Sequence, residues 1–318
     1  MGGREVRFIE RTDSRAFKTV EDCFFVDSGL TYDNSYDIAG VTLGTETVIE
    51  MSDADITASG LAVGDEVVFS DIEWEKEEVF GNDEQMYDVR DPIPDPNNAP
   101  YFGQLNRRTA TVTDVTSPSV TVNIDSSDYP SEYVSGGLIR KKVSTIYGLW
   151  HLEGENVAVL ADGRPVYGLT VSDGSITLPV GMESGRIQVG LRYAAEIETL
   201  DMATYGDSAV SLLSKRKSIT EVRIISHDTS GIFAWAMMGE DSDGYETPRE
   251  LTLERATSLV QPATWPTEWP APLHTGTIRL DTPSPGWVFS GRLIIRQPQP
   301  LPMGILGIIP EFEIQDTT

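Results

Sequence analysis

The chain has one cysteine, Cys23, among 318 residues. A single thiol excludes an intrachain disulfide and a zinc cage built from cysteines. It lies in the apolar run Cys23-Phe24-Phe25-Val26, so a buried, inert thiol is expected. Long hydrophobic runs are also missing. No 18 consecutive residues are apolar, so no membrane-spanning segment is expected. Arg4, Arg7, Glu10, Arg11 and Asp13 interrupt any apolar signal core at the N-terminus. The chain is expected to stay in the cytosol where it is made, or to enter a particle assembled there. Positive charge is scarce: 24 Lys and Arg stand against 50 Asp and Glu, for a net charge of −26. That balance excludes an ordinary DNA binder, whose phosphate contacts need Lys and Arg.

Catalytic signatures are lacking too. There is no phosphate-binding glycine loop with its Lys, no G-x-S-x-G elbow and no H-x-x-x-H. The three histidines are His151, His227 and His274. His151 stands near Glu153, and a His with a Glu has the chemistry for acid–base work. A structural hydrogen bond is the expected role here, and His227 and His274 fall in expected turns. No catalytic, cofactor-binding or metal-binding residue is assigned; the chain is not expected to be an enzyme, and no cofactor is expected.

Turn residues are plentiful. The 28 Gly and 19 Pro are scattered at turn-like intervals, and no helical periodicity exceeds about three turns. Both features predict an all-β chain. Residues 146 to 200 read as a β-meander. Its apolar runs are Asn156 to Leu160, Val166 to Val171, Ile176 to Leu178 and Ile187 to Tyr193. Asp162-Gly163 and Asp173-Gly174 separate the first three, and Asp-Gly supplies the positive φ angles of tight hairpins. Nearer the N-terminus, Glu5 to Ile9 reads as a strand, followed by a polar turn or short helix, then a strand into a turn at Ser28-Gly29. Between Glu21 and Pro100, 21 acidic residues face only Lys76 and Arg90. Adaptation to a salty medium and a surface built to repel DNA both account for such a charge.

Within residues 42 to 142, Thr109 to Thr113 and Val120 to Val122 alternate as half-buried strands do, with Ser117-Pro118 as the turn. Asp71 to Pro100 reads as a long acidic loop. Its carboxylates Asp71, Glu73, Glu75, Glu77 and Glu78 have the chemistry to hold a divalent cation, but a solvated charged loop is expected. Asp207 to Lys217 reads as a short helix with basic residues at its C-terminus. Lys217 to Ile225 is a strand, His227 to Gly231 a turn and Ile232 to Met237 the return strand. Glu240 to Glu246 reads as a hairpin loop. Residues 261 to 273 are rich in proline, which forces extended backbone; they read either as a surface arm crossing to the next subunit, with Trp265 and Trp269 as contact points, or as a buried connector. Leu293 to Ile295 and Ile305 to Ile309 read as core strands.

Three groups of residues carry a resemblance. They are "RFIER…EDCFFVDSGLTYDN" near the start, "GLWHLEGENVAVLADG…LTVSDGSITLP…VGLRY…ETL" in the meander, and "HTG", "GW…GRLIIRQ" and "LPMGILGIIPE" near the end. In order and spacing these resemble the C-terminal half of the tail hub, or nozzle, of short-tailed bacteriophages. That family is also called tail tubular protein B, or packaged-DNA stabilisation protein. The likeness covers residues 2 to 41 and 143 to 316. It implies a β-meander or sandwich-like hub platform (1–41 and 143–318) interrupted by an acidic, small β-barrel-like domain (42–142). The insert resembles a module widespread in phage tail proteins. Family members carry a β-propeller ahead of this point. Its counterpart here is a separate polypeptide, is dispensed with, or has been removed by processing.

The resemblance implies a structural virion protein of the tail, assembled in the host cytoplasm. Its subunits would form a homohexameric ring below the portal and adaptor, in contact with tail fibres or spikes. The ring retains packaged double-stranded DNA and conducts it during ejection without binding it specifically. The alternative reading is a tail module for host-surface adsorption or fibre anchoring, with the acidic insert as the recognising part. A hydrolase of the host envelope would need a converging pair of carboxylates, and no such pair is marked in the sequence.

Overall fold

The computed structural model describes residues 17, 19–74, 105–127, 129, 133–201, 215–230, 232–236, 249–251, 273–281, 287 and 291–315. Twenty strands dominate them, and the protein is all-β. The chain divides into two compact units. Among the described residues, the first is Ser28–Leu191 and the second is residues 19–27 with the chain from 192 onward. The expected strand Glu5 to Ile9, the loop beyond Trp74, most of the helix Asp207 to Lys217, the 240–246 loop and the proline-rich 261–272 lie outside the described residues.

In the first unit, β1 (Asp27–Asp33) leads into β2 (Ser35–Asp37), β3 (Gly40–Thr42), β4 (Thr47–Glu50), helix α1 (Asp53–Ser59), β5 (Glu66–Trp74), β6 (Thr109–Thr116), β7 (Ser119–Val122) and β8 (Tyr133–Lys141). Seven of these strands form one antiparallel sheet, ordered β2-β8-β5-β6-β7-β4-β3. Among the described residues no ladder joins its two edges. They are instead linked by continuous chain: Ser35–Asp37 pairs with β8, and Gly40–Thr42 pairs with β4. Ile49, Val67, Phe69, Leu105, Val120 and Ile139 fill the core of this barrel-like sheet. The alternation read from 109–113 and 120–122 is real: Ala110, Val112, Val120 and Val122 point inward and β6 pairs β7 across Ser117-Pro118. Helix α1 was not expected. Its signals are an N-cap and a C-cap: the Ser52 hydroxyl accepts the Asp55 N–H at 3.1 Å, and Gly60 stops the helix with φ 59°. The expected loop from Asp71 begins as strand instead. The Asn106 side chain exchanges two 2.9 Å hydrogen bonds with the Ile72 backbone, standing in for a neighbouring strand.

The remaining strands of this unit are β9 (Thr145–Tyr147), β10 (Asn156–Ala161), β11 (Arg164–Thr170), β12 (Ser175–Thr177) and β13 (Arg186–Leu191). Their sheet runs β1-β13-β10-β11, while β12 pairs β9. Each expected run contains a strand, though the strands stop at Thr170, Thr177 and Leu191, and both Asp-Gly pairs are turns with positive φ, but the order corrects the meander. Asp162-Gly163 closes the hairpin β10–β11, and Asp173-Gly174 closes a tight turn in which Ser172 and Ser175 exchange two 3.0 Å backbone hydrogen bonds. After Asp173-Gly174 the chain leaves that sheet, and β13 returns beside β10. The turn expected at Ser28-Gly29 is also corrected. Strand β1 runs through both residues, and a left-handed Ser28, φ 50°, kinks it instead.

The second unit holds β14 (Ala195–Glu198), β15 (Lys217–Thr229), β16 (Ile232–Ala236), β17 (Arg249–Leu251), β18 (His274–Asp281), β19 (Leu293–Gln297) and β20 (Ile305–Ile314). Its two sheets are β14-β19-β16-β17 and β18-β15-β20. Ile219, Val222, Ile224 and Ile278 of one meet Leu293 and Ile295 of the other in a single core. The hairpin expected at His227 to Gly231 does not form. Strand β15 continues to Thr229 between β18 and β20, and β16 joins the other sheet. The reason lies in the third strand: His227 N–H donates to the Gly304 carbonyl and Ser230 N–H to that of Pro302, so β20 occupies the edge a return strand would need. The Leu293 to Ile295 strand is fully buried, whereas the 305–309 strand is half-buried, with Leu306 and Ile309 exposed.

Candidate functional site

The sequence LWHLEG folds onto the turn that follows β11. Leu149 and Leu152 anchor it in the core, leaving Trp150–Leu152 as one 3-10 turn between them. Glu153 then reaches back. Its carboxylate accepts the N–H groups of Asp173 at 3.0 Å and Gly174 at 2.7 Å. Leu149 N–H donates to the Gly174 carbonyl at 2.8 Å, closing the contact from the other side. Trp150 lies flat against the turn. A Cβ on Gly174 would stand 2.4 Å from the indole Cδ2, and Gly174 has φ 65°. Only glycine meets both demands.

His151 does not join Glu153. Its Nε2 lies 2.9 Å from the Ser28 carbonyl oxygen. A carbonyl only accepts, so Nε2 carries the proton of this bond. The two residues with acid–base chemistry therefore hold different backbone segments, His151 the kinked β1 and Glu153 the Asp-Gly turn.

Two further aspartates do comparable work; Asp162 was expected only as a turn residue, and Asp33 was given no role. Asp162, in the first Asp-Gly pair, accepts the N–H of Gly185 at 3.1 Å and of Arg186 at 2.8 Å. It thereby ties the β10–β11 turn to the start of β13. Asp33, last residue of SGLTYD, takes Arg140 Nε at 2.8 Å, and Arg186 Nη1 lies 3.6 Å away. Arg140 comes from β8 of the seven-stranded sheet, is buried, and also bonds Ser70 Oγ at 2.5 Å. Arg186 comes from β13. Asp33 thus sits between cations from the seven-stranded and the four-stranded sheet, and Gly185 lets the backbone close in, since a Cβ there would lie 2.7 Å from Val68 Cγ1. A signal existed: each aspartate ends or turns an apolar run inside a quoted motif.

In the second unit, Gly304 of LPMGILG plays the close-packing role. A Cβ there would lie 2.1 Å from the His227 carbonyl oxygen. On the outer face of β18-β15-β20, Glu221 accepts Arg223 and Arg279, each at 2.6 Å, and Arg223 also meets Glu311 at 2.9 Å. The Glu221 carboxylate raises the Arg223 guanidinium further above its ordinary value through hydrogen bond and charge.

Of the carboxylates weighed for a cation, Asp71 takes the Ser70 hydroxyl and Glu73 that of Ser135, each at 2.8 Å. Glu75, Glu77 and Glu78 lie outside the described residues. Among the described residues no three His, Cys, Asp or Glu converge as a metal site. Beside the Glu153-held turn, Tyr147 and Trp150 are 76% and 63% exposed. Tyr147 pairs with Ser175, next to Gly174 under the indole, so the turn carries two aromatic rings into solvent. Large exposed aromatics of this kind are contact chemistry. In comparisons with known proteins, no family model matches the chain and no curated protein matches it.

Proposed function

We propose that the chain is a structural tail protein, a ring-forming nozzle or hub subunit that retains packaged DNA and conducts it at ejection. One observation carries the reading beside the sequence resemblance. The polar residues of the resembling segments act on the fold itself: Asp33, His151, Glu153 and Asp162 hold backbone or arginine. The charge fits the role. A lumen rich in Lys and Arg would trap DNA through counterion release, whereas carboxylates leave the duplex free to slide. The proposed subunit is not an enzyme. Its proposed partners are other copies of the chain, six in a ring as in the resembling family, the adaptor ring above and fibres or spikes at the side.

The test is duplex DNA binding by the purified full chain at physiological salt. Binding weaker than about 100 μM, the weak end of non-specific affinity, is expected. Tight, saturable binding would overturn a repelling conduit.

A second reading is favoured by the seven-stranded sheet, whose core of Ile49, Phe69, Leu105 and Ile139 is its own. On that reading the insert recognises a host surface or anchors fibres. Particles lacking residues 42–142 that assemble and hold DNA but fail to adsorb would favour it.

A further inference from the structure

Residues 297 to 310, QPQPLPMGILGIIP, hold no ionisable side chain in a chain of net charge −26. The end of this run opens β20, which among the described residues is an edge of the sheet β18-β15-β20. Edges exposed to water are ordinarily guarded by proline or charge. The second half of β20 is guarded in this way, by Pro310, Glu311 and Glu313. The first half is not. Ile305 and Ile308 pack on the core, but Leu306 is 70% exposed and Ile309 48%.

The exposure of Leu306 is built into the backbone. Ile305 pairs with Ser226 and Gly307 with Ile225, so Leu306 is the extra residue of a bulge. Bulges re-aim side chains. The chain just before it is clamped: Gly304 N–H donates to Thr229 Oγ1 at 2.9 Å, and the Gly304 carbonyl accepts that hydroxyl at 3.0 Å and His227 N–H at 2.9 Å. A side chain presented on fixed backbone loses little freedom when a partner covers it.

We propose that Leu306, with Ile309, anchors the contact between this chain and a second copy of itself. Charge selects the occupant. Two chains of this net charge repel wherever their acidic faces come within the Debye length of about 8 Å. A copy-to-copy contact is therefore confined to surface without charge, which this run supplies. A basic partner would instead seek the acidic stretch between Glu21 and Pro100. The inference deepens the ring reading and rests on it for geometry: Leu306 meets a different surface on the next copy, as a closed ring requires.

Sedimentation velocity of the full chain, over a concentration series at 0.15 M and 1 M NaCl, tests this. The variants are Leu306→Asp, Leu306→Ala and Val180→Asp. Val180 is 98% exposed in the first unit, so its variant adds the same charge elsewhere. The wild type should self-associate, more strongly at high salt, where like charges are screened. Leu306→Asp should move the association midpoint at least ~tenfold higher, as loss of an interface anchor does. Leu306→Ala, which adds no charge, should move it the same way by less, and keeps the test decisive should the Asp variant fail to fold. Val180→Asp should match the wild type. Overturning results are a wild type monomeric at both salts, Leu306 variants that associate normally, or equal loss in both Asp variants. Association through Leu306 into species other than closed rings would sink the ring reading alone. Rings formed normally by Leu306→Asp and Leu306→Ala would sink this contact alone.

Discussion

The Glu153 carboxylate accepts the backbone N–H of Gly174 at 2.7 Å, across 21 residues of chain. With the Asp173 N–H on its other oxygen, it fastens LWHLEG to the Asp-Gly turn. Hydrogen bonds to a charged group contribute about 1.5–3 kcal/mol each when buried, and these are partly exposed. Glu153→Ala should lower the unfolding free energy by about 2 kcal/mol. Glu153→Gln, which keeps an acceptor, should lose roughly half as much. Urea unfolding reads both; an Ala variant within about 0.5 kcal/mol of wild type would contradict the fastening role.

Gly174 and Gly168 separate strain from crowding. Both have positive φ, 65° and 76°, but nothing stands within 4 Å of a Cβ at Gly168, whereas Trp150 occupies that space at Gly174. Gly168→Ala should cost about 1 kcal/mol, the left-handed penalty alone. Gly174→Ala should cost at least twice that and change the Trp fluorescence, because the indole must leave. Equal costs with unchanged fluorescence would contradict the packing.

Asp33 answers a buried Arg140, whose side chain is 7% exposed against 25% for Asp33. Breaking a fully buried pair costs about 3–5 kcal/mol, so with one partner partly solvated Asp33→Asn should cost about 2–3 kcal/mol. Arg140→Met in the Asn background should recover much of it by removing the stranded charge. A double variant as unstable as the sum of the singles would show that the two residues act independently.

The strands were legible where local chemistry decides them. The apolar stretches 157–160, 187–190 and 293–295 became strands because each is buried in a core, and both Asp-Gly pairs became turns because few residues accept positive φ. Pairing was less legible. Nothing local to Ile232 says that it joins Leu293–Gln297 rather than folding back on β15; that choice was made by Gly304 and Pro302, some seventy residues away. The short helix α1 was marked by Ser52 and Gly60, a cap pair that is brief enough to pass for a turn. At the candidate site, Glu153 and His151 were visible as residue types, but their partners Gly174 and Ser28 are backbone atoms, which no side-chain pattern announces.

Acid should weaken the fold in two steps. Burial holds the His274 imidazole below its ordinary value, and its Nε2 is buried without a hydrogen-bond partner. The folded chain therefore resists protonation there. Its contribution is complete above the unfolded value of about 6.5 and is lost as pH falls through the lowered folded value. Burial alone would push the Asp65 carboxyl up, but Lys141, 2.6 Å away, and the Ala62 N–H outweigh it and hold it below the ordinary value. That contribution is complete above about pH 3.9 and lost as pH falls through the lower folded value. Urea midpoints from pH 8 to pH 3 should show both steps, and His274→Gln should remove the first. A first step unchanged in His274→Gln would assign it elsewhere.

The proposed assembly is a ring. Electron microscopy of the purified full chain, alone and in the virion proposed to carry it, tests this. Closed rings are expected, sixfold by the resemblance, on the axis of the proposed tail with carboxylates towards the channel. A monomer, or density attached to the outside of the tail, would contradict it.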